Sequence, residues 1–318
     1  MWEPNLSIEL LKSRNKFIKE VRNFFDKRDI LEVDTPILSS YGVTDVNLNT
    51  FSTFYNSPYN SKYKTLYMIT SPEYHMKRIL AKYNIPIYQV TKVFRNEEEG
   101  VKHNPEFTML EWYRPGFDMF DLISEIEDLM KDTIKISKVE LMSYTEVFEK
   151  YFNIDPISCD INILKEEALK YNYSSLNPQD RDSLLEFLFS IHIEPKVGNI
   201  HPIAVYNFPA TQASLARVDP NNSLLANRFE IYYKGVELAN GFNELTNYKA
   251  QLERFKKDNI KRSELNLPEI EIDINLIEAL KSGMKQVSGV AIGLDRLIMI
   301  ALDKKSISEV LSFPIDKA

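Results

Sequence analysis

The chain has 318 residues, of which 44% are hydrophobic and 27% charged, a composition that excludes intrinsically disordered, collagen-like and disulfide-scaffold proteins. Its formal net charge of −7 argues against a protein that binds nucleic acid mainly through phosphate contacts. The single cysteine, Cys159, fits a reducing compartment. The N-terminus lacks the basic-then-apolar pattern of a signal peptide, and no apolar run approaches a membrane span of about 18 residues. We therefore expect a cytoplasmic protein without membrane association.

Hydrophobic periodicity predicts the elements in chain order. A helix over residues 6–27, capped by Ser7, leads into a short strand at residues 30–33. The predicted elements that follow are strands within 41–70, a helix after Ser71-Pro72, strands at 87–94 and 107–113, a helix over 119–136, a mostly helical insertion over about 143–200, strands within 203–245, helices over 248–265 and 274–284, a strand at 287–293 and a helix from Asp295. Strands outnumber the crossover helices that a parallel sheet needs. This favours a single α+β domain over residues 1–318, with an antiparallel sheet flanked by helices.

One polar stretch stands between two predicted strands, at residues 94–107. Arg95 offers a fork for a carboxylate or phosphate, Glu97 can accept from an amine, and Phe107 offers an aromatic platform. Because residues i and i+2 of a strand share a face, Arg95 and Glu97 are expected to point the same way. On composition alone, a surface hairpin with a solvated acidic loop is the favoured interpretation.

A second stretch predicts a β-hairpin around the turn Lys234-Gly235. If the loop is those two residues, Tyr232 faces Glu237 and Glu230 faces Ala239. Glu230 and Glu237 then lie diagonally on one face of the sheet, near enough to share a cation such as Mg²⁺ beside phosphates. Two exposed glutamates on the wet side of an antiparallel sheet explain the pattern equally well.

A third stretch combines a glycine-punctuated strand with the start of a helix, at residues 288–297. Glycines in a strand permit close approach of a ligand, and Arg296 in the first helical turn can reach a polyphosphate or stack on a base. The spacing is neither that of a Rossmann nor that of a Walker motif. Tight strand packing beside an ordinary surface arginine is the alternative.

Together these stretches resemble, in order, the motifs of the class II aminoacyl-tRNA synthetases. The first helix with Pro36 is similar to motif 1, residues 95–107 to motif 2 and residues 289–296 to motif 3. The detail is closest to the lysyl branch, in residues 70–73, 95–97, 103–109, 111–113 and 240–242. The resemblance covers nearly the whole chain. It implies the class II catalytic fold, activation of a lysine-like amino acid with ATP and Mg²⁺, and a homodimer.

Lysyl-tRNA synthetases carry an N-terminal anticodon-binding barrel, whereas here the first catalytic helix is predicted to begin near Ser7, so no such domain is expected. The chain thus resembles the free-standing paralogues that join (R)-β-lysine to elongation factor P, in residues 71–78, 94–98, 111–115 and 235–242. This implies an AMP-forming ligase that adenylates (R)-β-lysine, transfers it to the side-chain amine of a lysine on elongation factor P, and binds no tRNA stably. The alternatives are a truncated lysyl-type synthetase that activates α-lysine for tRNA or another acceptor, and a catalytically inactive regulatory protein.

The resemblance also implies roles for residues at matching positions. Arg95 and Arg296 are implied as catalytic, Arg95 at the substrate carboxylate and α-phosphate and Arg296 sandwiching adenine with Phe107. The implied ATP-binding residues are Arg95, Asn96, Glu97, His103, Asn104, Phe107, Glu237, Leu238, Gly293 and Arg296. The implied substrate-binding residues are Ser71, Pro72, Glu73, Glu111, Tyr113, Asn240, Phe242, Glu244 and Ala291, and the implied Mg²⁺ ligands are Glu230 and Glu237.

Two further expectations concern specificity. Ala291 stands where lysyl-tRNA synthetases typically have glycine, and we expect it to sense whether the second amine is in the α or the β position. Residues 53–64 and 155–200 match no motif of the family. They either contribute to recognition of the acceptor protein or pack the domain.

Overall fold

The computed structural model describes residues 2–56, 58, 64–174 and 177–318. These residues form two compact units, the first containing the residues up to Phe117, Asp132–Ile134 and Leu245–Ala318, the second Asp118–Lys131 and Lys135–Glu244. The single domain therefore stays a prediction. Of residues 53–64, which match no motif, residues 57 and 59–63 lie outside the described part of the chain.

The elements follow the predicted order. The helices are α1 (Ile8–Asp26), α2 (Glu73–Tyr83), α3 (Met119–Ile134), α4 (Tyr144–Phe152), α5 (Ile161–Leu169), α6 (Arg181–Leu188), α7 (Tyr248–Glu264), α8 (Ile274–Lys281) and α9 (Leu294–Ala301). The strands are β1 (Leu31–Glu32), β2 (Leu38–Ser39), β3 (Ser52–Tyr55), β4 (Lys64–Met68), β5 (Ile87–Phe94), β6 (Glu106–Pro115), β7 (Glu140–Ser143), β8 (Ile203–Pro209), β9 (Leu225–Tyr233), β10 (Val236–Asn243) and β11 (Val287–Gly293). No helix in the described ranges has the length and apolar character needed to cross a bilayer.

In the first unit, β1, β5, β6 and β11 lie side by side in that order, and α1 covers one face of this sheet. Ser7 caps α1 as predicted, because its side chain accepts from the backbone N–H of Leu10. Phe25 of α1 stacks on Tyr88 of β5 at a ring-centroid distance of 4.3 Å and meets Trp112 of β6 edge-on at 5.2 Å. The even-numbered residues of β6 are thus committed to the core, which turns its odd-numbered residues to the opposite face.

In the second unit, β10, β9, β8 and β7 lie side by side in that order. The predicted insertion lies between β7 and β8 in the chain. The insertion is helical as expected: α4, α5 and α6 are followed by a turn of π-helix at Phe189–Ile193. Its buried apolar side chains form a core of their own, which includes Val147, Phe148, Leu185 and Leu188. This part of the chain therefore packs around a core of its own, and a contribution of residues 155–200 to recognition of the acceptor protein stays a prediction.

The main sheet pairs of each unit are antiparallel as predicted, except at one edge of each unit. β1 pairs with β5 in parallel, and β7 pairs with β8 in parallel, whereas the remaining pairs of these sheets within each unit are antiparallel. Parallel neighbours need long crossover connections. The segment that holds β2, β3, β4 and α2 supplies one, and the helical insertion supplies the other. The α+β class is confirmed, with mixed sheets.

Candidate active site

The face of β6 opposite α1 carries several of the predicted site residues in a row. Phe107, Met109, Glu111 and Tyr113 alternate along the strand and so share one face. On the neighbouring strand β11, small residues stand opposite the last three of them: Gly293 opposite Met109, Ala291 opposite Glu111 and Gly289 opposite Tyr113. These small residues of β11 flank the row on β6. We call this face of β6 and β11, with the Phe107 ring at one end and the Glu111 carboxylate toward the other, the trough.

Glu111 lies on the floor of this trough and is only 2% exposed. Its Oε2 accepts from the Ser71 hydroxyl at 2.6 Å, and its Oε1 accepts from the Tyr113 hydroxyl at 2.7 Å. Ser71 in turn accepts from the backbone N–H of Glu73 at 3.0 Å, which fixes it to the start of α2. A carboxylate offers about four lone-pair positions. The hydroxyls of Ser71 and Tyr113 thus hold Glu111 in one orientation, and its chemistry is that of an acceptor for an ammonium group.

Glu73, which the resemblance assigns to the substrate, has a partner that the sequence analysis missed. The Lys77 ammonium lies 2.5 Å from Glu73 Oε1, and this lysine is only 1% exposed. The spacing of four residues on a helix is the signal that predicts such a pair. Burial makes this ion pair more than a surface contact, and it holds the Glu73 carboxylate against α2.

The loop after β5 differs from the strand geometry predicted for Arg95 and Glu97. β5 ends at Phe94, and Glu97 has a left-handed backbone with a φ of 68°. Asn49 anchors this turn, because its carbonyl accepts from the N–H of Asn96 and its side chain donates to Glu97 Oε2, both at 2.8 Å. The prediction that the two residues share a strand face is wrong, since a turn and not a pleated strand carries them.

Arg95 nevertheless lies beside the aromatic platform. Its guanidinium carbon is 5.3 Å from the centroid of the Phe107 ring, and its Nη1 is 3.5 Å from Glu98 Oε1. Its Nε is buried and has no hydrogen-bond partner among the residues that the structure describes. Buried donors are almost always satisfied in folded proteins. This Nε is therefore suited to an anion that binds in the trough, such as a carboxylate or a phosphate.

Arg296 folds back over the backbone at the start of α9. A Cβ added at Gly293 would lie 3.4 Å from Arg296 Cδ, so glycine lets the arginine pass close to the strand end. Arg296 Nε donates to the Lys102 carbonyl at 3.1 Å, and its Nη2 lies 2.6 Å from His103 Nε2. Burial, followed by the positive charge of Arg296, lowers the pKa of His103 below its ordinary value. The imidazole is thus neutral at pH 7 and can accept from the guanidinium.

Asn104 has an architectural use that the sequence does not reveal. Its Nδ2 donates to the Glu106 carbonyl at 2.7 Å, and its Oδ1 accepts from the N–H of Ile315 at 3.0 Å. The side chain thus joins the motif 2 loop to the C-terminal segment. Its contact with ATP, implied by the resemblance, stays a prediction.

In the second unit, a β-bulge changes the predicted register of the β9–β10 hairpin. Glu237 pairs with Tyr232 as expected, but Glu230 pairs with Asn240 and not with Ala239, because the register shifts between Glu237 and Ala239. The extra residue turns Asn240 to the face that Glu230 and Glu237 share, and Phe242 follows it because it pairs with Arg228. The predicted pairing of Glu230 is therefore wrong in register, whereas the shared face of the two glutamates is retained.

Glu230 is buried at 6% exposure, and both of its oxygens accept hydrogen bonds, one from Arg228 and the other from the Tyr232 hydroxyl. Burial, together with the charges of Glu230 and Glu237, raises the pKa of Tyr232 well above its ordinary value, so that it stays a donor. The Oδ1 atom of Asn240, opposite Glu230, is buried, and no described residue donates a hydrogen bond to it. This face thus offers oxygen acceptors to a cationic ligand.

These residues fit a magnesium ion that arrives with phosphates. Among the residues that the structure describes, no three His, Cys, Asp or Glu side chains cluster in a way that would hold a metal ion by themselves. Mg²⁺ is usually bound through one or two carboxylates and takes its other ligands from phosphates and water. Glu230 and Glu237 supply that number, although Arg228 already partly neutralises Glu230.

The remaining predicted residues are placed by their elements. Glu244 is buried at 3% exposure, Pro72 is the N-cap residue of α2, and Leu238 and Phe242 lie on β10. Sequence reasoning missed Lys77 and Arg228, which neutralise predicted site carboxylates. Arg228 precedes Glu230 by two residues on the same strand, and this alternation is a signal that could have identified it.

The sheet covered by α1, with a motif 2 loop and an arginine-bearing motif 3 helix at its open face, defines a class II aminoacyl-tRNA synthetase catalytic fold. The chain belongs to the family of class II tRNA synthetases (D, K and N), whose model matches residues 4–317. Three similar curated proteins are each named elongation factor P–(R)-β-lysine ligase. They come from Actinobacillus succinogenes (53% identical), Histophilus somni strain 2336 (54%) and Haemophilus influenzae strain PittGG (52%), with 100% of this chain and 98% of each relative covered.

Proposed function

We propose that the chain activates (R)-β-lysine with ATP and transfers the activated group to the side-chain amine of a lysine on elongation factor P. Relatives 50–54% identical over the whole chain carry this activity in their names. The observation that supports it best is the Glu111 carboxylate, buried in the trough and oriented by Ser71 and Tyr113. Such a group recognises the distal ammonium of a lysine-like substrate. A neutral amino acid could not make this contact with the Glu111 carboxylate, so it should be rejected strongly.

In the activation step, an oxygen of the substrate carboxylate attacks the α-phosphorus of ATP, the bond to the β-phosphate breaks, and pyrophosphate leaves. Negative charge builds up on the α-phosphate oxygens during this exchange. Arg95, with its buried and unsatisfied Nε, is placed to donate to that charge. Phe107 and Arg296 would hold the adenine ring by stacking, since the trough presents the one and the start of α9 the other.

In the transfer step, the neutral amine of the acceptor lysine attacks the carbonyl carbon of the adenylate. The bond to the phosphate oxygen breaks, AMP leaves, and the amine loses its proton to water. No side chain of the chain forms a covalent intermediate, because positioning and charge compensation are sufficient for this reaction. Mg²⁺, when bound, neutralises phosphate charge, and Glu230 and Glu237 would hold it.

Ala291 is proposed to distinguish the position of the second amine. It stands directly opposite Glu111 in the sheet, so its methyl group lies beside the carboxylate that receives the distal ammonium. Because α-lysine and (R)-β-lysine carry the second amine on different carbons, their carbon chains would pass this methyl group in different positions. The homodimer and the cytoplasmic location are likewise proposals, the first from the family resemblance and the second from an acceptor that acts in translation.

The test is the intact mass of elongation factor P after incubation with the chain, Mg·ATP and either (R)-β-lysine or α-lysine. A gain of one lysyl group is expected, and it should be greater with (R)-β-lysine. Glu111→Gln should reduce the rate by about 100-fold or more, because a buried charge contact is lost. Glu253→Gln is the matched control, since that glutamate is 62% exposed and pairs only with Lys256 in a surface contact. Its rate should match the wild type.

Release of pyrophosphate without any mass gain would contradict elongation factor P as the acceptor. Absence of pyrophosphate release with both amino acids would contradict an enzymatic function altogether. In the same assay, an Ala291→Gly variant that keeps the wild-type preference for (R)-β-lysine over α-lysine would refute the proposed role of Ala291.

A further inference from the structure

A buried charge pair links α1 to the two elements that carry the proposed adenine site. Asp295, in the first turn of α9, is 1% exposed, and its Oδ2 accepts from the backbone N–H of Thr108 at 2.6 Å. Arg14 of α1 places Nη2 2.6 Å from the other oxygen of Asp295 and 3.1 Å from the Thr108 hydroxyl. Its Nη1 donates to the Val310 carbonyl at 3.2 Å. We call Arg14, Asp295 and Thr108 the Arg14 clamp.

Two residues of the Arg14 clamp, Thr108 and Asp295, are direct neighbours in the sequence of the two residues proposed to bind adenine. Thr108 follows Phe107 directly on β6, and Asp295 precedes Arg296 directly on α9. The hydrogen bond between Thr108 and Asp295 therefore joins the two residues next to the proposed adenine platform. The backbones of Phe107 and Arg296 thus cannot move apart without stretching this buried hydrogen bond.

Arg14 is needed because a buried carboxylate is costly without a cation. Removal of one partner from a buried ion pair leaves an uncompensated charge, which the surrounding structure must relax to solvate. If Asp295 shifts, the start of α9, which carries it, and the segment of β6 at Thr108, which is hydrogen-bonded to it, would shift as well. Both displacements would alter the gap between Phe107 and Arg296.

We propose that the Arg14 clamp sets the gap between Phe107 and Arg296 and thereby determines the affinity for ATP. This inference rests on the proposed function, in which these two residues bind adenine. Arg14 and Asp295 are positioning residues, because they act through their neighbours and touch neither substrate.

The test compares Arg14→Met and Arg14→Lys with Lys16→Met, a control on the same helix whose side chain is 79% exposed. The readouts are KM for ATP and for (R)-β-lysine in pyrophosphate exchange, and the Kd of the Mg²⁺ complex of a non-hydrolysable ATP analogue by calorimetry. For Arg14→Met, we expect KM and Kd of the nucleotide to rise about 10- to 100-fold, since small misplacements have effects of this size. KM for (R)-β-lysine should stay within about twofold, as expected if only the nucleotide site shifts.

Arg14→Lys should restore part of the nucleotide affinity, because it returns the charge without the forked geometry. A nucleotide KM and Kd equal to the wild type in Arg14→Met, or an equal rise in both KM values, would overturn the proposal. If Arg14→Met does not fold, the decision passes to Arg14→Lys, which keeps the charge, and Asp295→Asn, which keeps the shape; both must then show the nucleotide-specific loss. Absence of exchange with (R)-β-lysine in the wild type would contradict the proposed function alone, since calorimetry still measures the clamp.

Discussion

At the scale of single residues, the site combines groups whose charge is set by neighbours rather than by their own chemistry. His103 is the clearest case, because its pKa is lowered by burial and then by the adjacent Arg296. The structure thus keeps an imidazole neutral where two arginines, Arg95 and Arg296, already supply positive charge. The neutral His103 orients the Arg296 guanidinium through a hydrogen bond without neutralising its positive charge, as a carboxylate would.

This lowered pKa predicts a specific pH dependence of stability. An unfolded chain binds a proton at His103 near pH 6.5, whereas the folded chain resists it until a lower pH. The contribution of His103 is therefore complete above pH 6.5 and is lost as the pH falls below that value. His75 and His192, whose pKa values are also lowered by burial, act in the same direction.

We expect His103→Gln to lose less stability than the wild type between pH 7.5 and pH 5.5. The measurement is the urea midpoint of both proteins at the two pH values, so that any constant effect of the substitution cancels. An equal decline in the two proteins would show that His103 titrates alike in the folded and unfolded chains.

At the scale of elements, the β9–β10 hairpin shows where sequence reasoning succeeds and where it fails. The turn at Lys234-Gly235 is predictable because glycine is favoured in two-residue hairpin turns, whose residues have a left-handed φ. Both residues have a positive φ in the structure. The bulge after Glu237 is not, because an extra residue in one strand is defined only by the partner strand it skips. Yet this bulge turns Asn240 and Phe242 to the face of the glutamates, so the part that could not be predicted orients the site.

Gly198 supports the same hairpin from the end of the helical insertion. It has a φ of +72°, and an added Cβ would lie 2.3 Å from the Tyr232 carbonyl oxygen. Gly235 has a similar φ of +68°, but its nearest neighbour would be 3.6 Å away. The two glycines share backbone strain and differ in available space, which makes them a matched pair.

We expect Gly235→Ala to lower the free energy of unfolding by about 1–2 kcal/mol, the cost of a left-handed backbone. Gly198→Ala should lower it by a further ~1–3 kcal/mol, because strand β9 must move to admit the methyl group. Urea denaturation of both variants measures the difference. Equal losses would mean that the loop around Gly198 shifts away from β9 at no cost.

At the scale of the whole molecule, features that depend on neighbouring residues could be predicted from the sequence better than contacts between distant residues. The Ser7 cap and the bounds of α1 follow from neighbouring residues, and the structure confirms them. The contact between Ser71 and Glu111 joins residues 40 positions apart, so it depends on packing that periodicity does not encode. The parallel edges of the sheets escaped prediction for the same reason. Motif resemblance named many site residues, whereas their supporting partners, Lys77 and Arg228, emerged only from the fold.

The acidic groups of the molecule lead to a final prediction about metal ions. In the described ranges, no cluster of metal-binding side chains is large enough for a resident ion, and Glu230 is already bonded to Arg228 and Tyr232. We therefore expect magnesium to bind together with ATP rather than to the free protein. A chelator should leave the melting temperature of the nucleotide-free chain unchanged while it abolishes pyrophosphate release.

Addition of Mg·ATP at 100 times its Kd should stabilise the chain by about 2.7 kcal/mol through mass action. With an unfolding entropy of about 2.1 cal/mol/K per residue, that corresponds to a rise of roughly 4 °C in melting temperature. Glu237→Gln should lose part of this rise, measured from the melting temperature of the same variant without nucleotide, because a ligand of the ion is gone. A chelator that lowers the melting temperature without nucleotide would instead indicate a resident metal, and the carboxylates of β9 and β10 would then need a structural role.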